Sequence, residues 1–151
     1  MARYHATIDS RRSALDTFDY LATFSNAAEW DPGVLAGEQL DRGPVGVGTR
    51  FRLIVPFLGR RLPLTYHVTA YEPHHEVVLD AISRLLRATD RIVVTEDGDG
   101  AKVSYTAEIR LRGPLGLLDP VLARGFRAVG DRATAGLARA LSAAPAPEPG
   151  S

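Results

Sequence analysis

The sequence predicts an α+β fold: a curved antiparallel sheet of seven strands wrapped around one long C-terminal helix, with two short helices between strands 1 and 2. Three observations predict it. Apolar and polar residues alternate through a series of segments joined by turn signals. One segment near the C-terminus instead carries an apolar stripe at helical spacing. The first alternating segment is set apart from the others by a helical stretch that ends at Trp30, Asp31, Pro32 and Gly33.

In "RYHATIDS", Tyr4, Ala6 and Ile8 share one face and Arg3, His5, Thr7 and Asp9 the other, the pattern of a strand. In "SALDTFDYLATF", Leu15, Phe18, Tyr20, Leu21 and Phe24 recur at helical spacing, and Ser13 with Asp16 resembles a capping box. "SNAAEW" starts a second short helix, capped by Ser25 or Asn26. "DPG" stops it, because proline cannot sit in a helix interior. "VLAGEQLD" and "TRFRLIVPF" then read as strands around the turn "RGPVGVG". "LPLTYHVTAY" gathers Leu62, Leu64, Tyr66, Val68 and Ala70 opposite Thr65, His67, Thr69 and Tyr71. "EVVLDAIS", "RLLRATDRIVVTE" and "AKVSYTAEIRL" complete the set, the last two joined across "DGDG", whose glycines accept positive φ. Such one-sided alternation belongs to an antiparallel sheet with one face in the core. The helix then runs from about Leu117 to Leu141, with Leu118, Leu122, Phe126, Val129, Ala133, Leu137 and Leu141 in one stripe.

Length and pattern give a single domain over residues 1–142, and the small, Pro-rich stretch 143–151 reads as a disordered tail. Eighteen acidic residues balance 18 basic ones, which argues against a nucleic-acid or anionic-membrane footprint other than a local basic patch. There is no cysteine, hence no disulfide, thiolate nucleophile or cysteine zinc site. No apolar run reaches the ~18 residues of a membrane span, and the N-terminal stretch alternates like a strand rather than a signal peptide. These features fit a cytoplasmic protein.

Few motifs carry chemistry. His74 and His75 are adjacent in a turn and so point apart, and zinc-ligand spacing is absent, so no metal is expected. His5 and His67 face outward by parity. "GPVGVG" lacks the Lys and Ser/Thr of a phosphate loop and precedes a strand, so it reads as a turn. No nucleophile elbow, zinc-protease motif or cofactor fingerprint occurs. The arginines of the last helix read as a solvated face. Asp90 shares the parity of Ala88, Ile92 and Val94; it either pairs outward with Arg50, Arg52 or Arg87, or points inward as a general acid/base. Tyr66, Tyr105 and Tyr4 fall on inward faces, and buried hydroxyls facing an apolar space suit a ligand pocket.

The order of elements, with "FDYLATFSNAAEWDPGV", "GPVGVGTRFRL", "YHVTAYEP" and "GDRATAGLARAL", resembles the START/polyketide-cyclase superfamily (SRPBCC, helix-grip) over nearly the whole chain to about residue 142. More narrowly, it is similar to bacterial proteins labelled polyketide cyclase/dehydrase. The resemblance implies an internal hydrophobic cavity between the last helix and the sheet, and a place for Trp30 near one end of it. The expected ligand is an apolar small molecule: a lipid, polyketide or other aromatic metabolite. Its expected contacts are Trp30, Phe51, Leu53, Leu64, Tyr66, Val68, Tyr105, Leu118, Leu122 and Phe126. An alternative is a polyketide cyclase/dehydratase using Tyr66, Tyr105 or Asp90. A third reading is a regulatory or toxin-like interaction protein, whose mark would be an exposed apolar patch.

Overall fold

A computed structural model describes residues 2–142. The elements are β1 Ala2–Ser10, α1 Ala14–Ala22, a 3-10 turn Phe24–Asn26, α2 Ala27–Trp30, β2 Ala36–Gln39, β3 Arg50–Phe57, β4 Arg60–Glu72, β5 Glu76–Ile82, β6 Leu86–Asp97, β7 Gly100–Leu111, a 3-10 turn Gly113–Leu118, and α3 Asp119–Ser142. The seven strands form one antiparallel sheet in the order β1-β7-β6-β5-β4-β3-β2. The predicted fold class and order of elements are those observed; the tail 143–151 lies outside the described residues.

Local chemistry accounts for the boundaries. Ser13 caps α1, its Oγ accepting from the Asp16 N–H at 3.1 Å. Asn26 stands at the cap position of α2, but its side chain instead donates to the Tyr20 carbonyl at 2.9 Å. Leu58 and Gly59 turn the β3–β4 hairpin with φ of 51° and 76°, the left-handed values a two-residue hairpin requires. α3 starts later than its apolar stripe suggests: Pro120 sits in the first turn, where its missing N–H costs nothing, and Asp119 Oδ1 accepts from the Leu111 N–H at 3.2 Å.

One face of the sheet is covered by α1 and α3. Phe18, Leu21, Phe51, Leu53, Leu79, Ile92, Leu137 and Leu141 are fully or almost fully buried there. Two inward assignments need correction. A bulge between Val68 and Ala70 reverses the parity of β4, so Ala70 is exposed and Tyr71 turns to pack edge-on against Phe18, ring centroids 5.5 Å apart. Leu15 of α1 is half exposed rather than inward.

Two glycines set how closely α3 lies on the sheet. A Cβ on Gly136 would stand 1.9 Å from the Trp30 carbonyl oxygen, and one on Gly130 would stand 2.4 Å from the Tyr4 ring. Tyr4 is held in place at α3: its hydroxyl donates to Asp131 at 2.8 Å and accepts from Thr134 at 3.1 Å. α3 therefore touches α2 and β1 by backbone and ring contact. Its middle stands away from the centre of the sheet, and a space opens there.

Candidate functional site

The space is a cavity of about 510 Å³ between α3 and the curved sheet. Its walls are mainly apolar: Leu53, Val55 and Phe57 from β3, Leu64 from β4, Ala88 from β6, Ala107 and Ile109 from β7, and Leu122, Phe126 and Ala133 from α3. Ala88 and Ala107 leave the room, because a larger side chain at either position would fill it. Trp30, the last residue of α2, forms part of the wall. It is buried, lines the cavity, and meets Tyr105 edge-on at 5.7 Å. It is both the plug between α2 and the sheet and a wall of the site.

Two polar groups of the lining are bonded to each other. Asp90 and Tyr105 occupy neighbouring strands, and Asp90 pairs with Ala107 while Ile92 pairs with Tyr105. The two side chains are therefore diagonal neighbours on the inward face. The Tyr105 hydroxyl donates to Asp90 Oδ2. Asp90 Oδ1 accepts no hydrogen bond from any described residue. Tyr66, two strands away on β4, also lines the cavity, and its hydroxyl makes no hydrogen bond among the described residues. Asp31, at the foot of α2, accepts from the Gly33 N–H at 2.7 Å and also lines the cavity, as do Tyr4 of β1, Glu108 of β7 and Arg132 and Thr134 of α3.

Burial dominates the electrostatics. Loss of water pushes the Asp90 carboxyl up to about 7; the Tyr105 hydrogen bond opposes this, and the charges of Asp31 and Asp80 add to it. Tyr105 and Tyr66 are both held well above the usual phenol range, first by burial and then by the Asp90 charge. Asp31 is raised by burial, with the Gly33 N–H pulling the other way. The site thus offers a carboxyl group that changes charge near neutrality beside two hydroxyls that stay protonated.

Of the residues expected to meet a ligand, Trp30, Leu53, Leu64, Tyr66, Tyr105, Leu122 and Phe126 line the cavity, as does Asp90. Phe51, Val68 and Leu118 do not. Phe51 and Val68 face inward but lie toward the end of the sheet under α1 and the 3-10 turn, where Phe24 packs edge-on against Phe51 at 6.5 Å and Tyr66 at 5.0 Å. Leu118 belongs to the 3-10 turn before α3 and is 43% exposed. The outward pairing of Asp90 is overturned: Arg87 pairs with Asp80 at 3.4 Å and Arg50 with Asp41 at 2.9 Å, both on the outer surface. Asp31 escaped the sequence reading because "DPG" registers first as a helix stop; its position beside the lone tryptophan was the available signal. His5 and His67 are exposed, and His75 Nδ1 lies 3.0 Å from the Val94 carbonyl.

A family model described as polyketide cyclase/dehydrase and lipid transport matches residues 1–142. No curated protein matches the chain. Among solved structures, a START superfamily protein from Mycobacterium smegmatis superposes with a TM-score of 0.75 at 13% identity, covering 93% of this chain and 97% of that one. The Zhui aromatase/cyclase from Streptomyces sp. R1128 gives 0.70 at 15% identity, covering 92% and 90%. A STAR-related lipid transfer protein from Xanthomonas axonopodis gives 0.71 at 17%, covering 92% and 85%. At these identities the likeness is one of fold. No described helix is long and apolar enough to cross a membrane.

Proposed function

Because this chain belongs to the polyketide cyclase/dehydrase and lipid transport family, we propose that it binds an apolar small molecule in the cavity under α3. The observation that carries this reading is the hydrogen-bonded Asp90–Tyr105 pair, with Tyr66, on the wall of a mainly apolar chamber of about 510 Å³. Such a chamber holds a hydrophobic body by burial and orients one polar end by hydrogen bonds. The free Tyr66 hydroxyl suits a carbonyl or hydroxyl oxygen, and Asp90 Oδ1 suits a hydroxyl when ionised or a carbonyl when protonated. A lipid, a polyketide or another oxygenated aromatic metabolite meets these conditions.

Native mass spectrometry of the freshly purified chain, followed by organic extraction, tests the proposal. The expected result is one bound apolar molecule per chain carrying at least one oxygen. A chain that is empty and takes up neither a fatty acid nor a naphthol contradicts it. Tyr66→Phe is expected to weaken an oxygenated ligand about fivefold, the scale of one net hydrogen bond, and to leave a pure hydrocarbon probe unaffected. Equal loss for both probes in a calorimetric titration would show that Tyr66 only packs.

A second reading is an acid/base reaction on that ligand, favoured by Asp90 standing near half-ionisation at neutral pH. Asp90 Oδ1 would take a proton from the carbon beside a carbonyl, while a tyrosine hydroxyl hydrogen-bonds to the oxygen as it gains charge. The enolate carbon would then attack a second carbonyl of the same chain, and the new alkoxide would recover the proton from Asp90. Enclosure of the folded chain by the apolar wall would supply the orientation. Cyclised product from a poly-β-ketone thioester, absent with Asp90→Asn, is the expected outcome.

A further inference from the structure

The geometry points to a docking face for an anionic lipid bilayer at the end of the sheet where Pro56, Phe57 and Leu122 line the cavity. In an antiparallel sheet, alternate connections lie at the same end. The β3–β4 turn, the β5–β6 turn and the β7–α3 connection therefore share one end. Direct contact confirms part of this: the Arg112 N–H donates to the Leu85 carbonyl at 2.8 Å, and the Arg112 guanidinium donates to the Ser83 carbonyl at 2.7 Å. Residues 58–61, 82–85 and 112–118 hold four arginines, Arg60, Arg61, Arg84 and Arg112, and no acidic residue. None of these four makes an ion pair among the described residues. The opposite end carries Asp9, Asp41, Glu72, Glu76, Glu96, Asp97 and Asp99 against Arg11, Arg12, Arg42 and Lys102, an acidic excess. A chain with no net charge is thus polarised along its strands, and the balance of 18 against 18 conceals the basic patch.

The same basic end exposes its largest apolar side chains. Leu117 is 86% exposed, Val121 68%, Leu58 67% and Ile82 60%. They come from three places: Leu58 from the β3–β4 turn, Ile82 from the end of β5, and Leu117 and Val121 from the turn into α3. Apolar tips interspersed with arginines match the boundary between headgroups and acyl chains: the tips bury, and the guanidiniums meet phosphates. The charge selects an anionic surface, at about 1 kcal/mol per arginine near it. Residues of the same elements line the cavity: Pro56 and Phe57 at the β3–β4 hairpin, and Leu122 and Phe126 on α3. A docked chain would pass an apolar molecule between bilayer and cavity without exposing it to water. That last step rests on the ligand-binding reading; the docking stands on the surface alone.

Flotation of the full chain with vesicles of three parts phosphatidylcholine to one part phosphatidylglycerol tests it. The chain is expected to float with these vesicles, to ignore pure phosphatidylcholine, and to be released by high salt. Arg60→Gln with Arg61→Gln is expected to weaken binding roughly 25-fold. Leu117→Asp with Val121→Asp is expected to abolish it, while Val47→Asp, exposed at the opposite end, leaves it unchanged. Circular dichroism and uptake of a fluorescent fatty acid report the fold and cavity of each variant. Absence of flotation, equal flotation on neutral vesicles, or variants that bind like the parent would overturn the proposal. So would retention on a polyglutamate matrix without flotation, which would assign the face to an acidic protein. Failed flotation with intact fatty-acid uptake sinks the docking face and spares the cavity reading; flotation without uptake does the reverse.

Discussion

Gly136→Ala is expected to destabilise the chain by about 3 kcal/mol and lower its melting temperature by roughly 6–12 °C. Helix propensity alone argues the opposite, since alanine is favoured over glycine by about 1 kcal/mol in a helix interior. Sterics decide the sign. The added Cβ would sit 1.9 Å from the Trp30 carbonyl oxygen and 3.1 Å from its carbon. Those atoms are main chain at the end of α2 and cannot rotate aside, so α3 or the Trp30–Gly33 turn must shift. Gly125→Ala is the control. It lies on the same helix with nothing within 4 Å of a Cβ, so only the propensity term acts, and a gain of about 0.5–1 kcal/mol is expected. Thermal melts of the two variants should therefore move in opposite directions. Movement in the same direction would mean that α3 does not rest on Trp30 as described.

Asp90→Asn is expected to flatten the pH dependence of stability. The Asp90 carboxyl is raised to about 7 in the folded chain from an ordinary 3.8. The folded state therefore holds a proton that the unfolded state has released. The associated stability is fully present below about pH 4 and is lost as pH rises through about 7. Between about pH 5 and pH 8 this loss is on the order of 3 kcal/mol. Asparagine carries no charge at any of these values, and its carbonyl can still accept from Tyr105. The variant should melt above the parent at about pH 8, and the difference should shrink toward about pH 5. Asp31→Asn should show a weaker trend of the same sign, because burial raises Asp31 while the Gly33 N–H holds it down. Parallel pH profiles for parent and Asp90→Asn would mean that water reaches the carboxylate.

The sheet was legible because period two is the direct consequence of burying one face, and α3 because its stripe has no other place to go. What stayed hidden depends on register. Nothing in "RATDRIVV" alone tells that Tyr105, fifteen residues on, stands diagonal to Asp90 and supplies the partner a buried carboxyl needs. Without that partner, an outward salt bridge was the cheaper assignment. One bulge was enough to exchange Ala70 and Tyr71. Phe51 and Val68 had the right face and the wrong height: inward residues divide between packed core and cavity according to which helix lies above them, and alternation does not encode that. The basic end escaped a net-charge reading because charge is separated along the strands, which becomes visible only once the turns are assigned to ends.

Trp30 is the only tryptophan in the chain, and it lines the cavity. Its fluorescence therefore reports occupancy without a label. A titration with cis-parinaric acid, read as energy transfer from Trp30, on the parent and on Ala107→Phe, which fills the chamber from β7, tests whether the chamber takes a ligand. The expected result is saturable transfer at one molecule per chain in the parent and none in a folded Ala107→Phe. Undiminished transfer in Ala107→Phe, or none in the parent, would contradict a ligand chamber beneath α3.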